Sequence, residues 1–342
     1  MIPADWQKDI ALSMCTTFKI GGKAQYLTKV RCLSQLFMSI DYAYTNNISI
    51  TVLGSGSNVL VSDSGVSGLV VIMDTHKREV LEESDSDVLI SLSAGEVLDE
   101  VIEWTVANGW WGLENLSSIP GTVGATPIQN VGAYGVEVAD VIEYVTVYDY
   151  KTRKLKNMSV SQCCFGYRTS IFKELDCSHL IIVSVVVRLL KKPNPKLSYT
   201  DLRLLSDKEY VTQSEIRKWV CKVRSSKFPD WTKVGTAGSF FRNPIISKEH
   251  YQRLLSTYQN MPHYKIDEEN VKVPLGWILD HVCGLRGYMK GCVGTYEKQA
   301  LVIIQNGGAR AFDIDQLSRY IQQEVYRKTN INISEEVTRI PK

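Results

Sequence analysis

Ser239 lies between a glycine and two phenylalanines, in the stretch G-T-A-G-S-F-F-R-N-P that covers residues 235–244. A nucleophilic serine needs a base beside it, yet the nearest histidine, His250, lies beyond a proline, and no G-x-S-x-G elbow is present. Nothing nearby would therefore activate Ser239 as a nucleophile. A serine in a glycine turn is most often simply a turn residue.

Two glycine-rich segments are candidates for binding a phosphorylated ligand. The first, G-S-G-S-N at 54–58, follows a predicted strand at 48–53, but the residues after it read as strand and turn. A Rossmann loop opens a helix, so that fingerprint is excluded and an anion-binding loop of backbone N–H groups remains. The second segment, 118–135, combines four glycines and two prolines with little charge. Its apolar residues favour order, and a partly buried connection without a ligand is the alternative.

Hydrophobic periodicity predicts the elements that position these loops. Apolar residues at helical spacing, with turn and cap residues at the ends, indicate four helices. They cover residues 34–46 (capped by Ser34), 95–108 (ended by Asn108 and Gly109), 214–226 (capped by Ser214) and 313–328. Residues 142–190 are β-rich and end in a buried strand at 180–190, and the prolines of 191–195 mark a break. The mixture predicts an α+β protein with mixed sheets.

Composition excludes several classes of partner. Among 342 residues, 39 Lys and Arg face 37 Asp and Glu, and no dense basic block points to nucleic acid. The start, M-I-P-A-D-W-Q-K-D, has no signal-peptide pattern, and the run at 180–190 is too short to span a membrane. The eight cysteines show no metal-ligand spacing and predict reduced thiols in the cytoplasm, with a Cys163–Cys164 redox pair as the alternative.

Four motifs in one order resemble a known family. They are G-S-G-S-N-V-L, S-I-P-G-T-V-G-A-T-P-I-Q-N-V-G-A-Y-G, G-Y-R-T-S-I-F-K and G-T-A-G-S-F-F-R-N-P. Together they resemble the UDP-N-acetylenolpyruvoylglucosamine reductase (MurB) family of peptidoglycan biosynthesis, from about Thr17 to the end of the chain. The resemblance implies reduction of the enolpyruvyl ether of UDP-N-acetylglucosamine to UDP-N-acetylmuramate. NADPH would supply the hydride through bound FAD.

The resemblance also implies a fold and an FAD site. A two-part FAD-binding region of the vanillyl-alcohol-oxidase (PCMH) type would span residues 1–65 and 66–210. A substrate-binding domain at 211–329 would follow, and the last segment, 330–342, would return towards the active site. No histidine or cysteine stands in an attachment motif, so the FAD is expected to be noncovalent. The residues expected at FAD are Gly54, Ser55, Gly56, Ser57, Asn58, Ser118, Ile119, Pro120, Gly121, Gly124, Ala125, Gln129, Asn130, Gly132, Ala133, Tyr134 and Gly135.

Three residues match the family's catalytic groups. Hydride addition leaves negative charge beside the substrate carboxylate, so the site needs a positive or proton-donating group and a proton donor to carbon. Arg168 matches the catalytic arginine, whose planar guanidinium grips a carboxylate through two N–H bonds. Glu336 matches the catalytic glutamate, across the carboxylate from Arg168, and Ser239 matches the proton donor. The family's E-P-E-V reads S-E-E-V here, so Glu335 remains the alternative to Glu336.

Four further matches concern binding of the UDP-linked amino-sugar. They are Tyr199, Lys227, Asn243 and Gln299. Each has an ordinary surface polar residue as its alternative interpretation, Gln299 most of all. No metal and no obligate protein partner is expected. Two other functions compete with the reductase: another FAD-dependent oxidoreductase on the same scaffold, such as an alcohol or sugar oxidase, and a flavin-binding regulatory protein without catalysis. Neither needs an arginine, a serine and a late glutamate together.

Overall fold

The computed structural model describes residues 2–341. Within them the backbone forms twenty strands and seven α-helices, joined by 3₁₀ turns and one π-helical turn at Ile278–Val282. The strands are β1 Gln7–Ala11, β2 Lys23–Val30, β3 Ile50–Leu53, β4 Val59–Val61, β5 Val66–Met73, β6 Arg78–Glu83, β7 Asp87–Ser93, β8 Gly132–Ala133, β9 Val136–Glu137, β10 Ile142–Asp149, β11 Lys154–Ser159, β12 Leu180–Leu190, β13 Gly235–Ser239, β14 Ile245–Ser247, β15 Tyr264–Lys265, β16 Asn270–Lys272, β17 Met289–Lys290, β18 Val293–Tyr296, β19 Gln299–Gln305 and β20 Thr338–Ile340. The helices are α1 Leu33–Thr45, α2 Leu98–Ala107, α3 Val160–Cys163, α4 Gln213–Lys227, α5 Lys248–Thr257, α6 Leu275–Trp277 and α7 Ala311–Thr329.

The chain divides into two compact units. Unit 1 contains the residues up to Ile10 together with Ala24–Ser55 and Ser67–Arg224. Unit 2 contains Ala11–Lys23, Gly56–Val66 and the residues from Ser225 onward. The break predicted at 191–195 ends the β-rich region but lies inside unit 1. The three-part division of the chain stays a prediction.

Unit 1 is built on two sheets. The first has the strand order β1-β2-β5-β3, with β3 and β5 parallel, and the second has the order β11-β10-β12-β7-β6 with antiparallel pairings. Strand β12 is central, and β-branched residues fill most of its buried positions, where such side chains pack well on a pleated surface. Helix α1 packs over a core shared by the two sheets, and α2 packs in the core of the second. The predicted buried strand is confirmed.

Unit 2 has one core, gathered around the long helix α7. Ile314, Leu317, Ile321 and Val325 recur at helical spacing and are completely buried. A four-stranded sheet, β13-β19-β18-β17, a three-stranded sheet, β14-β16-β15, and the parallel pair β20–β4 complete the unit. Asp63 caps α7 from a distant part of the sequence, since its carboxylate accepts the first two N–H groups of the helix.

The four predicted helices are present, but two of the predicted caps are wrong. Helix α1 begins at Leu33 after Cys32, so Ser34 is already inside the first turn. Helix α4 begins at Gln213, and its cap is Thr212 rather than Ser214. The Thr212 hydroxyl accepts the Glu215 N–H at 3.2 Å, while the Glu215 carboxylate accepts the Thr212 N–H at 2.9 Å. This reciprocal capping box satisfies the first turn two residues earlier than predicted.

Three further predictions can be compared with the fold. The segment after Gly54–Asn58 is strand β4 and not a helix, as the exclusion of a Rossmann loop required. All eight cysteines carry free thiols, with Cys163 buried and Cys164 exposed. Among residues 2–341, no helix is long and apolar enough to cross a membrane.

Candidate functional site

Ser239 is the last residue of β13, at a bulge in the pairing with β19. The register shifts between Thr236 and Ser239, and Gly238 takes a φ of +73°, a conformation that favours glycine. The buried Thr236 hydroxyl holds this bulge. It donates to the Ile303 carbonyl at 2.9 Å and accepts the Gly238 N–H at 3.1 Å. Ser239 is therefore placed by a backbone kink that a threonine side chain secures.

The two phenylalanines after Ser239 anchor it to the core of unit 2. Phe240 and Phe241 are each 1% exposed, and their rings meet edge-on with centroids 5.1 Å apart. The Phe240 N–H donates to the Leu301 carbonyl at 2.9 Å. These contacts supply the rigid setting that a proton-donating hydroxyl needs.

The C-terminal segment pairs antiparallel with this same stretch. The Glu336 N–H donates to the Phe240 carbonyl at 2.8 Å, and the Arg242 N–H donates to the Ser334 carbonyl at 3.0 Å. The structure thus brings the backbone of Glu336 beside the residue that follows Ser239. Two of the three predicted catalytic residues meet within unit 2, although they are 97 positions apart in the sequence.

The Glu335 carboxylate and the Glu336 backbone make different contacts. The Glu335 carboxylate accepts the Ser318 hydroxyl at 2.6 Å and two N–H groups of Arg339, each at 2.8 Å. A carboxylate with three such partners is committed to structure. The Glu336 carbonyl instead accepts the amide of Asn58, a predicted FAD residue, at 3.4 Å. The Glu335 carboxylate is thus engaged within unit 2, and the choice of Glu336 as the catalytic glutamate stays a prediction.

Two predicted substrate residues lie at the first turn of α6. The Asn243 side-chain oxygen accepts the Leu275 N–H at 2.9 Å. The Gln299 side chain lies against Gly276, where an added Cβ would come within 2.6 Å of the Gln299 Oε1. Asn243 and Gln299 therefore border one turn of unit 2. Lys227, the third predicted substrate residue in this unit, ends α4 and is half-buried.

Arg168 belongs to unit 1, at the tip of a tight turn. Gly166 and Thr169 exchange backbone hydrogen bonds at 3.1 and 3.2 Å, and Arg168 between them takes a φ of +56°. Its Nη2 donates to the carbonyl of Gly132, a predicted FAD residue, at 2.8 Å. The Lys173 ammonium donates to the Arg168 carbonyl at 3.0 Å. The arginine is thus held at the second glycine-rich segment in a conformation uncommon for a bulky residue.

The start of the first glycine-rich segment meets the second segment inside unit 1. Gly54 lies so close to Thr122 that any Cβ at position 54 would collide with the threonine side chain. A Cβ at Gly124 would likewise come within 2.5 Å of the Ala94 Cβ, and the Gly124 N–H donates to the Ala94 carbonyl at 2.9 Å. Glycine is needed at these positions because backbone and neighbour share the space.

A cluster that was not predicted from the sequence holds the start of the second segment. The Asp99 carboxylate accepts the Ser118 N–H at 2.5 Å and pairs with Arg217 at 2.5 and 3.2 Å. Arg224, two helical turns after Arg217, donates to the Ser118 carbonyl at 3.1 Å. Ser118 has a φ of +62°, so its conformation depends on these partners. Asp99 lies on α2, whereas Arg217 and Arg224 lie on α4, so no local pattern in the sequence indicates that they act together.

Burial and hydrogen bonds shift the pKa values within this cluster. Burial acts to raise the pKa of Asp99, but the hydrogen bonds from Arg217 and Ser118 outweigh it, and the net pKa lies below the usual value. Burial also lowers the pKa of Arg224 and raises that of Tyr134, with which it shares a hydrogen bond. The folded state therefore favours an ionised Asp99.

Asn130 and Tyr134, both predicted at FAD, are tied into the protein. The Asn130 amide donates to the Glu137 carboxylate at 2.6 Å and to the Gly166 carbonyl at 3.2 Å. Its Oδ1 accepts the Ala139 N–H at 3.1 Å, and the residue is 1% exposed. Asn130 therefore shapes the segment through its side chain. Tyr134 meets the predicted substrate residue Tyr199 edge-on, with ring centroids 5.4 Å apart.

Comparison with known proteins decides the family. A family model described as an FAD binding domain matches residues 24–156, and one described as the C-terminal domain of UDP-N-acetylenolpyruvoylglucosamine reductase matches residues 230–340. The reductase of Pseudomonas putida is 34% identical over 97% of this chain and 98% of its own length. That of Aliivibrio fischeri is 39% identical over 94% of this chain and 90% of its own length. The chain belongs to the UDP-N-acetylenolpyruvoylglucosamine reductase (MurB) family.

A solved structure supports the fold. The MurB enzyme of Thermus caldophilus superposes with a TM-score of 0.70 at 23% identity, covering 98% of each chain. The predicted α+β fold, with an FAD-binding region followed by a C-terminal MurB domain, is confirmed. The predicted cofactor, FAD, is confirmed at the level of the family and its FAD-binding domain.

The residues of the glycine-rich segments fit FAD. The segments are neutral and crowded at Gly54 and Gly124, and they carry positive φ angles at Gly56, Ser118, Gly121 and Gly135. Loops of this kind bind a diphosphate through backbone N–H groups rather than through basic side chains. The assignment of individual residues to FAD, to substrate and to catalysis remains a prediction.

Proposed function

We propose that this protein reduces UDP-N-acetyl-3-O-(1-carboxyvinyl)-glucosamine to UDP-N-acetylmuramate at the expense of NADPH, in peptidoglycan precursor biosynthesis in the cytoplasm. The observation that carries the proposal is the pairing of the Ser239 stretch with the Glu336 segment, in a chain that belongs to the MurB family. The glycine-rich segments 54–58 and 118–135 would hold FAD, whose chemistry there would be to pass hydride from NADPH to the terminal carbon of the enolpyruvyl group.

The substrate carboxylate is assigned to Arg168. Its planar guanidinium binds a carboxylate with two parallel N–H bonds. Negative charge on the carbon beside that carboxylate delocalises into it, so a fixed cation stabilises the transition state more than the ground state. The turn at 166–169 and the bond to Gly132 hold the arginine in place before substrate arrives.

Ser239 donates the proton that completes the reaction. A serine hydroxyl is a weak acid, so its competence rests on the strong basicity of the carbanion and on close placement. The bulge at Gly238 and the buried Phe240 support that placement. Glu336, whose backbone is fixed to Phe240, interacts with the carboxylate end of the intermediate, in its protonated form, as a hydrogen-bond donor.

The remaining site residues bind the UDP-sugar. Lys227 offers a cation for the diphosphate, and the amide groups of Asn243 and Gln299 offer directional hydrogen bonds beside the first turn of α6. Tyr199 packs on Tyr134 through its ring and presents its hydroxyl as a polar contact.

Spectroscopy of the purified protein tests this function. Anaerobic addition of NADPH should bleach the oxidised flavin absorbance, and the enolpyruvyl substrate should then restore it with formation of UDP-N-acetylmuramate. Simple alcohols and sugars should reduce the flavin no faster than buffer does, which separates the reductase from an oxidase on the same scaffold. A protein that takes up no FAD, or a reduced flavin that the enolpyruvyl substrate does not reoxidise, would refute the proposal.

A further inference from the structure

A network of four polar side chains joins the C-terminal segment to helix α7. Glu335 and Arg339 lie on the segment, and Asp315 and Ser318 lie one turn apart on the helix. Ser318 and Arg339 donate three hydrogen bonds to the Glu335 carboxylate, and the Arg339 Nη1 donates to Asp315 at 2.6 Å. We call this network the Glu335 clamp. In the E-P-E-V motif of the resemblance described above, the position of Glu335 corresponds to a proline.

The clamp has a buried end and an exposed end. Ser318 is 1% exposed and the Glu335 side chain 17%, whereas the Arg339 side chain is 45% exposed. An isolated exposed ion pair contributes little, but a bidentate pair anchored on a buried hydroxyl holds its geometry. The clamp therefore fixes which side of the segment faces α7.

The backbone pairing explains why proline and glutamate both suit position 335. The bonds from Arg242 to Ser334 and from Glu336 to Phe240 flank an antiparallel bridge between Phe241 and Glu335. In this pattern the residue at the bridge gives no N–H to its partner strand. A proline there breaks no bond of the pairing and stiffens the backbone before Glu336.

We propose that Glu335 is a positioning residue for Glu336, and that the clamp restrains the backbone at position 335 by hydrogen bonding as a proline ring would restrain it covalently. This inference rests on the proposed function in taking Glu336 as the catalytic glutamate. Side chains of neighbouring residues in an extended segment point to opposite sides. Tying Glu335 to α7 therefore presents the Glu336 carboxyl on the other side, with the Phe240 bond as the pivot.

The test compares substitutions at both ends of the clamp in the FAD-loaded enzyme. Glu335→Ala should slow flavin reoxidation by the enolpyruvyl substrate about tenfold to thirtyfold, with flavin reduction by NADPH unchanged. Glu335→Pro should react within about threefold of the wild type. Arg339→Ala should be as slow as Glu335→Ala in the wild-type background and should have no effect in the Glu335→Pro background, because proline makes the clamp redundant.

A matched control lies on the same helix. Glu324 accepts Arg327 through two bonds, at 3.2 and 2.8 Å, so it forms a bidentate pair like that of Glu335. Glu324→Ala should leave the reoxidation rate unchanged. The proposal is overturned if Glu335→Pro abolishes turnover as Glu336→Ala does, since Glu335 would then act on the substrate directly. It is also overturned if Arg339→Ala is equally harmful in both backgrounds.

Hydrogen exchange tests the clamp independently of catalysis. The Glu336 N–H is bonded to Phe240, so its exchange reports on the pairing. Exchange of residues 334–340 should accelerate in Glu335→Ala and Arg339→Ala but not in Glu335→Pro or Glu324→Ala. Unchanged hydrogen exchange in Glu335→Ala would refute the clamp, whether or not the protein turns over the enolpyruvyl substrate. If the protein fails to turn over that substrate but exchange changes as expected, the proposed function is refuted and the clamp is not.

Discussion

Thr236→Val is the substitution that most directly tests how Ser239 is placed. Valine has nearly the same shape as threonine, so the change replaces the hydroxyl with a methyl group and removes both of its hydrogen bonds. The Ile303 carbonyl loses a donor in a completely buried environment, and the half-buried Gly238 N–H loses its acceptor. The first loss costs about 1–2 kcal/mol and the second under about 1 kcal/mol, so we expect about 2 kcal/mol less stability.

The larger effect should be on the reaction. Without the Thr236 hydroxyl the bulge can relax at Gly238, and a displacement of Ser239 by about 1 Å lowers the rate of proton delivery up to about a hundredfold. Thr236→Ser keeps both hydrogen bonds and loses one methyl group, which costs about 1 kcal/mol. The two variants should therefore differ by only about 1 kcal/mol in stability but by up to about a hundredfold in the rate of reoxidation.

Rapid mixing separates the two half-reactions. Both variants should be bleached by NADPH at the wild-type rate, and only Thr236→Val should be reoxidised slowly by the enolpyruvyl substrate. Denaturant unfolding gives the stability of each variant. Equal reoxidation rates in the serine and valine variants would show that the hydroxyl of Thr236 does not position Ser239. Slow bleaching in the valine variant would place the damage in the flavin site instead.

Three further predictions concern the same machinery. Ser239→Ala should bind FAD and be bleached by NADPH but be reoxidised very slowly, and normal reoxidation would remove Ser239 from the mechanism. Gly238→Ala and Gly291→Ala should each lower the free energy of unfolding by about 1 kcal/mol, because both glycines have a positive φ with open space where a Cβ would stand. Only Gly238→Ala should slow flavin reoxidation. Equal reoxidation rates in the two variants would contradict the role of the bulge. Asp99→Asn should weaken FAD binding about tenfold in a fluorescence titration, because Ser118 loses a charged acceptor. The pKa of Asp99 is lower in the folded state than in the unfolded state, where it is about 3.9. The ionised carboxylate therefore stabilises the fold above that unfolded pKa, and this stabilisation is lost as the pH falls further. The difference in unfolding free energy between Asp99→Asn and the wild type should accordingly narrow between about pH 5 and 3.

The sequence alone determined the family, the cofactor and the secondary structure of the longest elements. Helix α7 was predictable because its buried residues recur at helical spacing over many positions, and strand β12 because it is a nearly continuous apolar run rich in β-branched residues and too short to span a membrane. The motifs were recognisable because Gly54, Gly124 and Gly238 hold positions that a side chain would block or strain, which leaves glycine in a fixed pattern. The caps of α1 and α4 were misplaced because several residues near each start can cap a helix, and packing selects among them.

The tertiary structure decided what the long-range partners of each motif are. It tied the hydroxyl of Thr236 to Ile303, the Asp99 carboxylate to Ser118, and Glu335 to α7, and none of these pairs has a local sequence signal. The contacts of Glu335 are the clearest case, while the assignment of Glu336 to catalysis stays a prediction. Glu335 and Glu336 are chemically identical neighbours in the sequence, and only the fold brings Ser318 and Arg339 to the Glu335 carboxylate.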